Sequence, residues 1–145
     1  MSRATPELQY IAERLIAFEA SQNKSSKTLT PADLLFSEKL RPYMSILMGN
    51  RGFHALLTRA LILTQAEFAW LRKVEVKADG TLEGLDTLAA QVGLEEIGKG
   101  TVVLLAQLLG LLVAFIGESL TLQLLHEIWP KLTSNDLNFK HRTST

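Results

Sequence analysis

The sequence predicts an all-α fold: a compact helical bundle with a long central helix toward its C-terminal end and one short β-hairpin over about residues 74–85. Three observations predict it. Apolar residues recur at helical spacing in several separate stretches, two Thr-Pro pairs stand where helices should begin, and a strand-like alternation occurs once, around Asp79-Gly80. A chain of 145 residues has the size of one domain, and such a domain hides roughly 70% of the surface its unfolded form exposes. We expect residues 1–132 to form that domain and residues 133–145 to be a disordered polar tail.

Thr5-Pro6-Glu7 sets a capping hydroxyl before a proline at the first helical position, and Leu8, Ile11, Ala12, Leu15 and Phe18 follow on one face. This predicts a first helix over about 6–20. The polar run from Ser21 has no apolar anchor and reads as a flexible loop to about residue 29. Thr30-Pro31-Ala32-Asp33 repeats the cap, starting a short helix with Leu34, Leu35 and Leu40 that Pro42 should interrupt or kink. A second short helix to Met48 and a turn over Gly49-Asn50-Arg51-Gly52 complete this stretch. Phe53, Leu56, Leu57, Ala60, Leu61, Thr64, Phe68 and Leu71 then trace one face of a long helix, widened by Ile62, Leu63 and Trp70. From Val74 to Leu82 residues alternate about an Asp-Gly turn, the hairpin signal. Leu94 to Trp129 is helical in pattern again, and Pro130 ends it.

Within that last helix Val102–Ile116 is apolar all round except for Gln107. These 15 residues would reach about 22 Å, short of the roughly 30 Å of a bilayer core, and a longer span would bury Lys99 or Glu118. Basic residues flank both ends without bias. We therefore read the run as the centre of a soluble bundle. Ala106, Gly110 and Ala114 recur every fourth residue, with Gly117 close by, and small side chains in a row allow close approach of a second helix, from the same chain or from another copy. Arg59, Glu67, Gln107 and Glu118 are isolated polar residues in apolar helices. Each must be exposed or paired, because an unpaired buried charge is costly.

Candidate chemistry is sparse. Gly93-Leu94-Glu95-Glu96-Ile97-Gly98-Lys99 has the glycine and lysine spacing of a phosphate-binding loop, but Gly100 stands where Ser or Thr would hold magnesium, and two glutamates would sit in the cradle. Glu75 to Asp86 can be laid on a twelve-residue calcium loop, yet Lys77 falls at a ligand position and Asp86 closes it where a longer Glu belongs. The hairpin explains the segment better. The three histidines lack partners at metal-ligand spacing, and no nucleophile elbow or triad pattern occurs. No catalytic, cofactor-binding or metal residue is assigned, and no cofactor is expected.

Lys and Arg number 15, as do Asp and Glu, which gives no overall field toward nucleic acid or anionic lipid. The balance is not local: residues 1–73 carry ten basic and six acidic side chains, and residues 74–145 five and nine. Scattered cations without interleaved aromatics argue against a nucleic-acid interface. With 47% hydrophobic residues the chain is no disordered tail. Its opening residues lack a signal-peptide core and it has no cysteine, so the expected compartment is the cytoplasm.

The runs Val76–Leu85 and Leu104–Glu118 resemble a group of small bacterial all-helical proteins with no assigned activity. The resemblance covers residues 40 to 130, implies a bacterial, intracellular origin, and carries no functional residues over. From the residues themselves we expect a non-enzymatic helical module, an adaptor or regulatory subunit, that binds protein and associates with itself as a homodimer or other homo-oligomer. The alternative is a bundle that attaches to a membrane or holds a small apolar ligand.

Overall fold

The computed structural model describes residues 5–22, 35–77 and 82–130, and its fold is all-α. The loop expected from Ser21 to about 29, apart from its first two residues, and the tail 133–145 lie outside the described residues, as does the Thr30-Pro31 cap. Helix α1 runs Pro6–Gln22 and so absorbs Ser21 and Gln22. Its start is built as the cap predicts: the Leu8 amide donates to Thr5 Oγ1 at 3.2 Å.

Helix α2 runs Leu35–Gln65, with Pro42 inside it. The interruption expected at Pro42 falls instead at Gly49, whose φ of 78° and ψ of 164° lie in a region open essentially to glycine alone. Pro42 is exposed and flanked by Leu40 and Met44, both fully buried, so core contacts on either side hold the helix through it. The turn expected over residues 49–52 contracts to Gly49. Ser45 Oγ donates to Asn50 Oδ1 across the kink.

The long helix expected to continue past Phe68 stops at Gln65. The Thr64 carbonyl accepts from both Glu67 and Phe68 amides at 3.0 Å, and a 3-10 turn, Ala69–Lys73, redirects the chain. Leu71 remains in the core, reached through this turn and not along the helix. The hairpin is present in short form: β1 Glu75–Val76 pairs antiparallel with β2 Leu82–Glu83, Glu75 opposite Glu83 and Val76 opposite Leu82. His54 Nε2 lies 3.2 Å from the Val76 carbonyl and ties β1 to α2. A further helix that periodicity did not reveal, α3 Leu85–Val92, buries Leu88.

The single C-terminal helix expected over 94–129 is two. Helix α4 spans Leu94–Ile116, Gly117 turns the chain at φ 92° and ψ 161°, and α5 spans Glu118–Ile128. Helix α4 is the central element and packs against α1, α2, α3 and α5. Every residue from 103 to 112 is buried. Leu8, Ile11 and Leu15 of α1, Leu40, Met44, Phe53 and Leu57 of α2, and Leu125 and Trp129 at the chain's other end close around it. Removing that much apolar area from water, at roughly 25 cal/mol per Å2, is what holds these helices together.

Hydroxyls inside this core bond backward along their own helices. Thr64 donates to the Ala60 carbonyl at 2.8 Å, Thr101 to Ile97 at 2.9 Å and Thr121 to Gly117 at 2.7 Å.

Candidate functional site

The residues singled out in the sequence do not form one site. Ala106 and Gly110 are buried within the chain, whereas Ala114 is exposed and Gly117 is no longer in the helix. The stripe is therefore split: its first half is covered by the chain's own elements, and its second half emerges at the end of α4. Of the candidate buried polar residues, only Gln107 is buried, and it has a bonding partner. Arg59 and Glu118 are both exposed, which corrects their placement as buried groups. Both lie on the outer faces of their helices, where a charge keeps its hydration and needs no partner. Glu67 is exposed as well.

What the fold leaves open is a surface along α2. Met48, Gly52, Ala55, Leu56 and Arg59 of α2 and Phe115 of α4 line a mostly apolar groove of about 370 Å3. A second hollow continues it through Ala55 and Arg59 to His54, Thr58, Ile62 and Leu63. Ile62 is 59% exposed and Phe115 64%. On the other arm of the kinked helix Ile46 is 88% exposed, with Leu47 and Tyr43 beside it at helical spacing. Large apolar side chains grouped in this way mark a contact surface more often than chance exposure does.

The kink creates the groove. In a straight helix the Cβ positions of residues 48 and 52 would stand about 5–6 Å apart, but the turn at Gly49 draws the two arms together so that a Cβ on Gly52 would stand 3.0 Å from Met48 Cβ. Gly52 thus forms a floor without a side chain. Thr58 Oγ1 is buried at the second hollow with no hydrogen-bond partner among the described residues, a local cost of roughly 1–3 kcal/mol.

The electrostatics of this surface follow from sequence. From Lys39 to Ala66 there is no Asp or Glu, while Lys39, Arg41, Arg51 and Arg59 are present. Lys39 is engaged, its ammonium lying 5.9 Å from the Phe18 ring centre and 6.0 Å from that of Trp129. Arg59 makes no ion pair among the described residues.

A second cleft, between α1 and α4, includes Gln9, Glu13, Phe68, Glu95, Gly98 and Lys99. This is the segment with phosphate-loop spacing, and its geometry is that of a helix: Gly93 precedes α4 and residues 94–100 form its first two turns. No loop is available to wrap a phosphate. In the calcium-like segment, Lys77 Nζ lies 3.2 Å from Glu83 and 3.6 Å from Glu75, so two of the acids that would ligate a cation already face an ammonium, while Asp79 lies outside the described residues. Among the described residues no group of three or more His, Asp or Glu is placed to hold a metal ion.

Helix α4 also revises the membrane arithmetic. The segment Glu95–Ile116 is 22 residues long and contains an 18-residue window of mean hydropathy 2.1, long and apolar enough by those measures to cross a bilayer. The count from Val102 falls short because Gly98, Gly100 and Thr101 extend the helix rather than end it. In this fold 67% of its apolar window is buried inside the chain, as the core helix of a bundle requires.

Phe115, Ile46 and Leu47 are exposed, which helical periodicity alone does not reveal. The signal was present as excess: both α2 and α4 hold more large apolar side chains than one buried face can take. Searches against protein-family models, curated proteins and solved structures find no match to this chain.

Proposed function

We propose that this chain is a non-enzymatic helical protein-interaction module, an adaptor or regulatory subunit, that also associates with copies of itself. The observation that carries the reading is the apolar groove beside Gly49, where Phe115 of α4 meets Met48, Gly52 and Leu56 of α2. A groove between two helices, lined by apolar side chains and edged by a cation, suits an amphipathic helix laid along it. Exposing Ile46, Ile62 and Phe115 to water is unfavourable by roughly 25 cal/mol per Å2, a free energy recovered when a partner covers them.

The membrane reading draws on α4, whose length suffices for a span. It would require this helix to leave the core that α1, α2 and α5 build around it. That loss weighs against it.

The test is affinity capture of the tagged protein from its own cells, run beside Phe115→Asp. The expected result is a stoichiometric partner, or an untagged copy of the chain, held by the native protein and lost by the variant, with equal Tm and helical circular dichroism for both. Equal retention by the two, or a native protein that retains nothing, overturns the reading.

A further inference from the structure

We propose that the occupant of the α2 groove is α5 of a second copy, in a twofold dimer where each chain gives its α5 to the other's groove. The proposal rests on the reading of that groove as an interaction surface and names its partner.

Two faces of the molecule are complementary. The α2 face is apolar and basic: Ile62 and Phe115 are exposed around Arg59, and no acid occurs in sequence from residue 39 to 66. The α5 face is apolar and acidic. Leu120 is 53% exposed, Gln123 and Glu127 share its face at helical spacing and are exposed too, Glu118 opens the helix on its other side just after the Gly117 turn, and residues 100–130 contain no Lys or Arg. Neither Glu118 nor Glu127 makes an ion pair among the described residues.

The faces are also adjacent. Phe115 lines the groove, and α5 begins three residues later, after the Gly117 turn. A twofold axis near Phe115 would bring α5 of each chain over α2 of the other, which is the reciprocal pattern a closed dimer requires. Other arrangements fit less well. Apposing two α2 faces would set Arg59 toward its own symmetry mate, and like charges brought together are unfavourable. The chain's own last fifteen residues hold Lys131, Lys140 and Arg142 against Asp136, the same sign as the groove.

The experiment is sedimentation equilibrium with light scattering on three proteins: native, Arg59→Glu, and the double variant Glu118→Arg/Glu127→Arg. All three positions are exposed, so folding should be retained, and circular dichroism melts check it. The native chain should have the mass of two copies, and each variant should associate at least tenfold more weakly. Mixing the two variants in equal amounts should restore the dimer. In the mixed pair one contact is native, and the other sets the introduced glutamate against the introduced arginines, so both are attractive.

A native protein that is monomeric at all concentrations overturns the proposal, as does a dimer unaffected by either variant or a mixture that stays monomeric. The broader reading fails separately. A monomer whose captured partner is still lost in Phe115→Asp refutes the dimer and leaves the interaction surface standing. A dimer and a capture that both ignore the substitutions refute the two together.

Discussion

Trp70 lies against Gly100. A Cβ built on Gly100 would stand 2.7 Å from the indole Cζ2, and the same indole donates from Nε1 to Glu96 Oε2 at 3.5 Å and meets Phe68 edge-to-face at 6.0 Å between ring centres. The 3-10 turn after α2 is thereby seated on α4, close to its start. Gly100, which breaks the phosphate-loop pattern, is there for close approach.

Gly100→Ala should therefore destabilise. Overpacking of this kind costs about 1–3 kcal/mol, against a gain of roughly 0.5–1 kcal/mol from better helix propensity, for a net loss of about 1 kcal/mol. Gly98, with nothing within 4 Å of its Cβ position, should show the opposite sign. Thermal melts of Gly98→Ala and Gly100→Ala check the pair, and Trp fluorescence should change in the second alone.

The helix junctions depend on backbone conformation and not on space. Gly49 and Gly117 both have φ positive with extended ψ, and neither has an atom within 4 Å of its Cβ position. Gly49→Ala and Gly117→Ala should each lose about 1–3 kcal/mol from strain alone. A melt unchanged from native would show that the junction can straighten, and the groove beside Gly49 would then be a variable feature.

Gly110 is buried in α4 one turn after Ala106. Gly110→Leu should lower stability by about 1–3 kcal/mol or more while leaving the molar mass at its native value, because Gly110 is already buried within one chain. A mutant that melts higher would place Gly110 against open space, and one that loses mass would return the small-residue stripe to the interface.

Thermal melts in calcium and in chelator should coincide. Glu83 and Glu75 beside Lys77 push its ammonium pKa above the ordinary 10.5, Glu83 chiefly through its hydrogen bond, so the cation is present at any pH where calcium could bind. A raised lysine pKa adds stability that is complete below the ordinary value and fades as pH climbs through the folded one. Since Lys77 is exposed, its ion pairs are screened by water and Lys77→Ala should melt near native at pH 7. A rise of several degrees in calcium would make Glu83 a ligand.

Local chemistry made the helical stretches of α1, α2 and the C-terminal region legible, with most of their core faces, the Thr5 cap and the paired strands on either side of Asp79-Gly80: a 3.6-residue period, a hydroxyl before a proline and a residue alternation each act within a few residues, whereas α3 left no such mark. The turn at Gly49 and the stop before Pro130 were legible too, but the continuity of α2 through Pro42 and the break at Gly117 were settled by tertiary packing. Pro42 reads as a stop and Gly117 as part of a packing stripe, yet packing on Leu40 and Met44 carries the helix through the proline while two glycines take up the turns. Burial of polar residues was also beyond local reading, since Gln107, Arg59 and Glu118 look alike in apolar surroundings and only the placement of neighbouring helices separates the buried amide from the two exposed charges. The groove is the plainest case. Phe115 and Met48 are 67 positions apart in sequence, and only a kink at Gly49 and the crossing of α4 on α2 set them side by side. A periodic pattern shows which face of a helix is apolar, but the amount of that face left uncovered depends on how the other helices pack.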